Sequence, residues 1–170
     1  MPRNTDFTKF GEMRMVAEYV SQTYPADLVY IRMRLGSALP DRPVPDMAPE
    51  DVAMLGVFRR WADAVVITKR ELIVIEASIR SDTGDPSKLL IYGRLVPHTP
   101  ELNEFRDRKL LLELVVAVED PVVRMVAQEM GIRTRVYKPP WLPQYLAQLH
   151  RRERRPAQAR GLMGAADVEA

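Results

Sequence analysis

Arg60-Trp61-Ala62-Asp63-Ala64-Val65-Val66-Ile67, a charged turn Thr68-Lys69-Arg70, and then Glu71-Leu72-Ile73-Val74-Ile75-Glu76-Ala77-Ser78-Ile79-Arg80 is the stretch that decides the fold. It reads as two strands joined by a tight turn. Each run is apolar on both of its alternating faces, and such a strand must be covered on both sides. The hairpin therefore belongs in the middle of a sheet with helices above and below.

The flanking sequence supplies those helices and the remaining strands. Phe10, Met13, Val16, Ala17 and Val20 recur at three-and-four spacing, which predicts an amphipathic helix from Phe10 to Tyr24, closed by Pro25. Leu28 to Leu35 is a first strand. The prolines of Pro40 to Asp46 exclude helix and central strand, and Asp51 to Val57 is a short helix after that loop. Asp85-Pro86 and Asp120-Pro121 both look like helix starts, with aspartate as N-cap and proline at the first helical position. They predict helices to about Val96 and Met130, the second ended by Gly131. Lys109 to Val118 and Ile132 to Tyr137 are strands, so the second capped helix lies in a parallel βαβ unit. Leu142 to Arg155 is a last helix.

Composition narrows the class. The 170 residues are 46% apolar and 28% charged, contain no cysteine and carry a net charge of +2. This suits one domain and removes disulfides, thiolate zinc sites and cysteine nucleophiles together. No apolar run approaches the roughly 20 residues that span a bilayer, and the first ten residues have no signal-peptide core. The expectation is a cytoplasmic protein with no membrane contact, or a virion protein if the gene is viral. The charge is unevenly placed: up to His150 there are 20 basic and 20 acidic residues, and the excess sits in the arginines from Arg151 to Arg160. A domain over residues 1–140 followed by a helix and arginine-rich arm over 141–170 is the expected organisation.

With the turn centred between Lys69 and Arg70, Asp63 faces Glu76 across the hairpin. Like charges directly opposed destabilise a sheet, and unpaired buried carboxylates cost several kcal/mol by order of magnitude. A divalent cation gives the pair a purpose, since Mg²⁺ takes oxygen ligands, commonly one or two carboxylates with water and phosphate. The alternatives are solvation at strand ends, pairing with Arg59, Arg60 or Arg80, or a one-residue shift of the turn that separates the two acids.

The segments Arg59-Arg60-Trp61-Ala62-Asp63-Ala64-Val65-Val66 and Leu72-Ile73-Val74-Ile75-Glu76-Ala77-Ser78 resemble the core of the PD-(D/E)XK, or restriction-endonuclease-like, nuclease superfamily. In that superfamily an acid on one strand and an E-x-K on the next hold the catalytic metal. The resemblance implies an α/β fold with an αβββαβ core, a mixed central sheet flanked by helices, and here an extra C-terminal βα extension. It also implies Mg²⁺ or Mn²⁺ held by Asp63, Glu76 and the Ala77 carbonyl. Ala62 stands for the motif proline and Ser78 for the lysine. Some members appear to move that lysine to the following helix, where Lys88 lies. Lys88 and Tyr92, four apart on one helical face, are similar to the Q-x-x-x-Y pattern of the helicase-associated exonuclease branch. Glu12 on the first helix is where some of these nucleases place a further acid; a solvated face residue is the plainer reading. His98 and His150 have no recognisable partners.

The expected function is thus a metal-dependent phosphodiesterase acting on DNA, with Asp63, Glu76 and Lys88 as catalytic residues. A different class competes: a catalytically inactive nuclease fold kept as a structural or assembly protein, such as a phage head-to-tail connector or neck component. Arg151, Arg152, Arg154 and Arg155 serve either reading, as contacts to phosphates or to a protein partner or second copy. A cleft in which Asp63, Glu76 and Lys88 converge is the feature that separates the two.

Overall fold

The computed structural model describes residues 4–37 and 59–153. The proline-rich loop, the helix expected from Asp51 to Val57, and Arg154 and Arg155 lie outside the described residues. Strands β2 (Arg60–Ile67) and β3 (Glu71–Arg80) form the expected antiparallel hairpin, in the expected register: Ile67 pairs with Leu72 and Ala64 with Ile75. Strand β1 (Leu28–Leu35) adds antiparallel to β2, while β4 (Lys109–Val118) and β5 (Arg133–Val136) add parallel to β3 and to each other. The result is a mixed five-stranded sheet in the order β1-β2-β3-β4-β5, and an α/β fold.

Helices cover both faces, as the doubly apolar β3 requires. On one side lie α1 (Asn4–Thr23) and α4 (Leu142–Glu153), which bury Met15, Val16, Val20, Leu142 and Leu149 against Ile73, Ile75 and Val115. On the other lie α2 (Asp85–Leu95), the two 3₁₀ segments Val96–His98 and Pro100–Phe105, and α3 (Pro121–Glu129). Leu89, Leu102, Phe105 and Val123 cover Leu72, Val74 and Leu114 from that side. Each fully buried Val, Leu or Ile contributes roughly 1.5–3 kcal/mol. The element order α1-β1-β2-β3-α2-β4 is the αβββαβ core, and α3, β5 and α4 extend it.

Asp120 caps α3 as expected, accepting the Val122 N–H at 2.8 Å. Asp85 does not cap α2. Gly84 holds the N-cap position, and the Asp85 side chain is drawn fully inward by polar partners described below.

Glycine in the interior of α1 costs helix stability, yet Gly11 is required where it stands: a Cβ there would come within 2.6 Å of the Tyr145 ring on α4. Gly11→Ala forces the Tyr145 ring out of its packed place between the two helices. A loss on the order of 2 kcal/mol, as for other overpacked core positions, is expected in urea denaturation. Unchanged stability would show that α1 and α4 do not meet there.

A buried polar contact also ties the α1 face to the sheet. Glu113, fully buried on β4, accepts the Tyr19 hydroxyl at 2.7 Å and pairs with Arg133 of β5. The apolar run Lys109 to Val118 thus hides an acid that ties helix to sheet.

Candidate functional site

The β1-β2 ladder omits one rung. Residues on either side pair regularly, Ile31 with Ala64 and Met33 with Ala62, which leaves Arg32 opposite Asp63 without a pairing. Arg32 has φ 54°, the left-handed region that a non-glycine residue adopts only at a cost of about 1–2 kcal/mol. The alternation of both strands shifts at this point: Val65 and Ile67 face the α2 side, and so does Ala62, three residues from Val65. This irregularity frees Asp63 from the packed face.

The β2-β3 ladder ends one step earlier than the hairpin register would carry it. Its last rung is Ala64 with Ile75, so Asp63 and Glu76 are not a ladder pair. Instead the Asp63 carboxylate accepts the Ala77 N–H at 2.8 Å. A pocket of about 550 Å³ opens where the strands part, lined from α1 by Lys9, Phe10, Glu12 and Met13, from the sheet by Arg32, Trp61, Asp63 and Glu76, and from α2 by Lys88 and Tyr92. It reaches solvent, since the Lys88 side chain is 49% exposed.

Lys88 sits in this pocket. Its ammonium donates to Glu76 Oε1 at 3.1 Å and to Asp85 Oδ1 at 3.0 Å. Asp85 also accepts the Ser78 hydroxyl and the Asp82 N–H, both at 2.8 Å. Ser78, two residues beyond Glu76, therefore holds the acid that in turn holds Lys88. Arg59, one of the expected alternative partners, goes instead to Glu101 and to the Arg34 carbonyl, and Arg80 meets His150 at 2.7 Å.

The electrostatics are those of a site crowded with negative charge. Burial raises the Glu76 carboxyl to about 7, helped by the nearby Asp63 and opposed by Lys88. Glu12 is likewise raised to about 7 by burial and by Asp63. Burial raises Asp63 too, against the pull of the Ala77 N–H, Lys88 and Arg32. For Lys88, burial acts downward, but the hydrogen bond to Asp85 and the contact with Glu76 outweigh it and hold the ammonium above its ordinary value. The Tyr92 phenol is pushed up by burial and by Glu76.

These shifts have a sign that can be checked. Unfolded, Glu12 and Glu76 titrate near 4.5; folded, near 7. Between those values the folded chain keeps protons that the unfolded chain has lost, so stability falls as pH rises. Without divalent cations, melting temperature should drop from pH 5 to pH 8, and Glu12→Gln should recover on the order of 2 kcal/mol at the upper end. Thermal melts of both proteins across that range test this; parallel curves would contradict it.

The donor set suits a hard cation. Asp63, Glu76 and Glu12 offer only oxygens, and burial and mutual repulsion disfavour their charge, which Lys88 and, for Asp63, Arg32 offset in part. Among the described residues, no group of three His, Asp or Glu side chains is arranged as a metal cage. Mg²⁺ does not need one, because it commonly takes one or two carboxylates and completes its shell with water and phosphate.

Of the expected site residues, Asp63, Glu76, Lys88 and also Glu12 and Tyr92 line one pocket, and Ala77 adjoins it through its N–H. The arginines lie elsewhere in the chain: Arg151 is exposed on α4, and Arg152 follows it there. Arg32, Trp61 and Asp85 are the residues sequence reading passed over. Asp85 was read as a cap, and Arg32 as an ordinary strand position whose left-handed backbone no pattern announces.

No family model matches the chain, and none of the curated proteins does. Among solved structures, a repair endonuclease from Pyrococcus abyssi superposes with a TM-score of 0.45 and 15% identity, over 75% of this chain and 47% of that one. EndoMS in complex with double-stranded DNA gives a TM-score of 0.47 and 14% identity, over 76% and 46%. The chain spans about half the length of these structures. Among the described residues no helix is long and apolar enough to cross a membrane.

Proposed function

We propose that this chain is a metal-dependent phosphodiesterase of the PD-(D/E)XK type, acting on DNA. The observation that carries the reading is the meeting of Asp63, Glu76 and Lys88 in one solvent-open pocket where β2 and β3 part. In this reading Asp63 and Glu76 hold Mg²⁺ or Mn²⁺, with the Ala77 carbonyl as the resemblance implies. When bound, the ion supplies Lewis-acid polarisation of the scissile phosphate and a lowered pKa for its water.

The chain's own residues do the rest. The Ala77 N–H fixes the Asp63 carboxylate in one orientation. Asp85, positioned by the Ser78 hydroxyl and the Asp82 N–H, fixes Lys88 beside Glu76. The Lys88 ammonium is then placed to stabilise the negative charge that builds on the phosphate oxygens as water adds to phosphorus and the ester P–O bond breaks. The lysine usual at position 78 is thus supplied from α2, with Ser78 retained as its indirect support.

The test is cleavage of single-stranded and duplex DNA in Mg²⁺ or Mn²⁺, with EDTA as control. Metal-dependent cleavage supports the reading. Its absence on every form favours the structural or assembly reading.

A further inference from the structure

The pocket carries aromatic surface that phosphodiester cleavage does not require. Trp61 is 44% exposed and Phe10 69% exposed, and both line it. The Trp61 ring has the Arg32 guanidinium 5.1 Å and the Arg34 guanidinium 4.6 Å from its centre. Arg32 is held there from a left-handed backbone position directly opposite Asp63 in register. Large aromatics left in water beside paired arginines are the composition of surfaces that stack nucleobases while cations meet the phosphates.

Size points the same way. About 550 Å³ is the volume of a small-molecule pocket. Glu76 within it is only 7% exposed. A space of that size takes a single nucleotide unit and is too small to admit a duplex.

We propose that Trp61, flanked by Arg32 and Arg34, is a stacking platform for an unpaired nucleobase, so that the site takes a single-stranded or extruded DNA nucleotide in preference to paired duplex. The base takes a face of the indole, and an arginine that now lies over the ring turns to the adjoining phosphate. This assignment of substrate form rests on the phosphodiesterase reading, but its test does not depend on cleavage.

Binding of a labelled DNA single strand and of the same sequence as duplex is measured by fluorescence anisotropy in EDTA, on the full chain. Wild type is expected to favour the single strand. Trp61→Ala should weaken single-strand binding about tenfold, the scale of one lost base-aromatic stack, and leave duplex binding within about twofold. Trp61→Phe should restore most of the loss. Tryptophan fluorescence should be quenched by the single strand in wild type and not in Trp61→Phe, where Trp141 alone remains. Equal binding of the two forms, no binding of either, or a Trp61→Ala loss of the same size on both overturns the platform. Metal-dependent cleavage without single-strand preference would overturn the platform and leave the nuclease reading standing; single-strand preference without cleavage would do the reverse.

Discussion

Asp63→Asn should abolish Mg²⁺-dependent cleavage, lowering the rate on the order of a thousandfold, while the protein becomes more stable at neutral pH. The two effects have one cause. Burial raises the Asp63 carboxyl, so keeping it ionised near Glu76 and Glu12 costs folding free energy that only a cation or its neighbours repay. Asparagine removes the charge and can still accept the Ala77 N–H that now binds Asp63 at 2.8 Å. The fold therefore keeps its contact and loses its repulsion. In the proposed reading the site loses one of the two carboxylates that would hold the metal ion, whose charge would supply several kcal/mol to the transition state, and each 1.36 kcal/mol is tenfold in rate. Steady-state cleavage and thermal melts on the same preparation check both halves. A variant as active as wild type, or one that melts lower at pH 8, would contradict the assignment.

Lys88→Ala should cost about a hundredfold in cleavage, the scale of one lost charge-stabilising donor, and should destabilise. Its ammonium is the cation that Glu76 and Asp85 share, at 3.1 and 3.0 Å. Asp85 has no exposed surface, so without Lys88 its charge is left to the Ser78 hydroxyl and the Asp82 N–H. Because the lysine itself is half-exposed, the stability loss is discounted to about 1–2 kcal/mol from the larger cost of breaking a fully buried pair. Adding Ser78→Lys to Lys88→Ala moves the amine to the strand position usual in the resembled superfamily. Partial recovery of cleavage is expected, which a purely structural lysine would not show.

The central strands were legible because their physics is local. Two apolar runs around Thr68-Lys69-Arg70 leave little choice of pairing, and the register from Ile67–Leu72 to Ala64–Ile75 is the one the turn dictates. The βαβ extension followed from Asp120-Pro121 and Gly131, whose cap and stop require only neighbouring backbone. Where tertiary forces compete with local ones, the pattern misleads. Asp85 has the spacing of an N-cap, yet Ser78, seven residues earlier on a strand, takes its carboxylate inward. Glu113 sits in an otherwise apolar run, and its partners Tyr19 and Arg133 are 94 and 20 residues away.

The residues that share the pocket were legible by type and not by geometry. Asp63, Glu76 and Lys88 stand out by residue type on apolar elements. The missing rung opposite Asp63 coincides with the left-handed backbone of Arg32 within β1, and strand alternation alone gives no sign of it. The same irregularity brings Arg32 beside Trp61, so the residues that sequence reading passed over are those whose role exists only once the strands have parted.

The most direct measurement is the cleavage of end-labelled DNA by the wild-type full chain in Mg²⁺, in Mn²⁺ and in EDTA, resolved by product length. Shortened products in either metal and none in EDTA are the result expected of a pocket where Asp63, Glu76 and Lys88 hydrolyse phosphodiesters. Intact DNA in every condition, or cleavage that EDTA leaves unchanged, would contradict it.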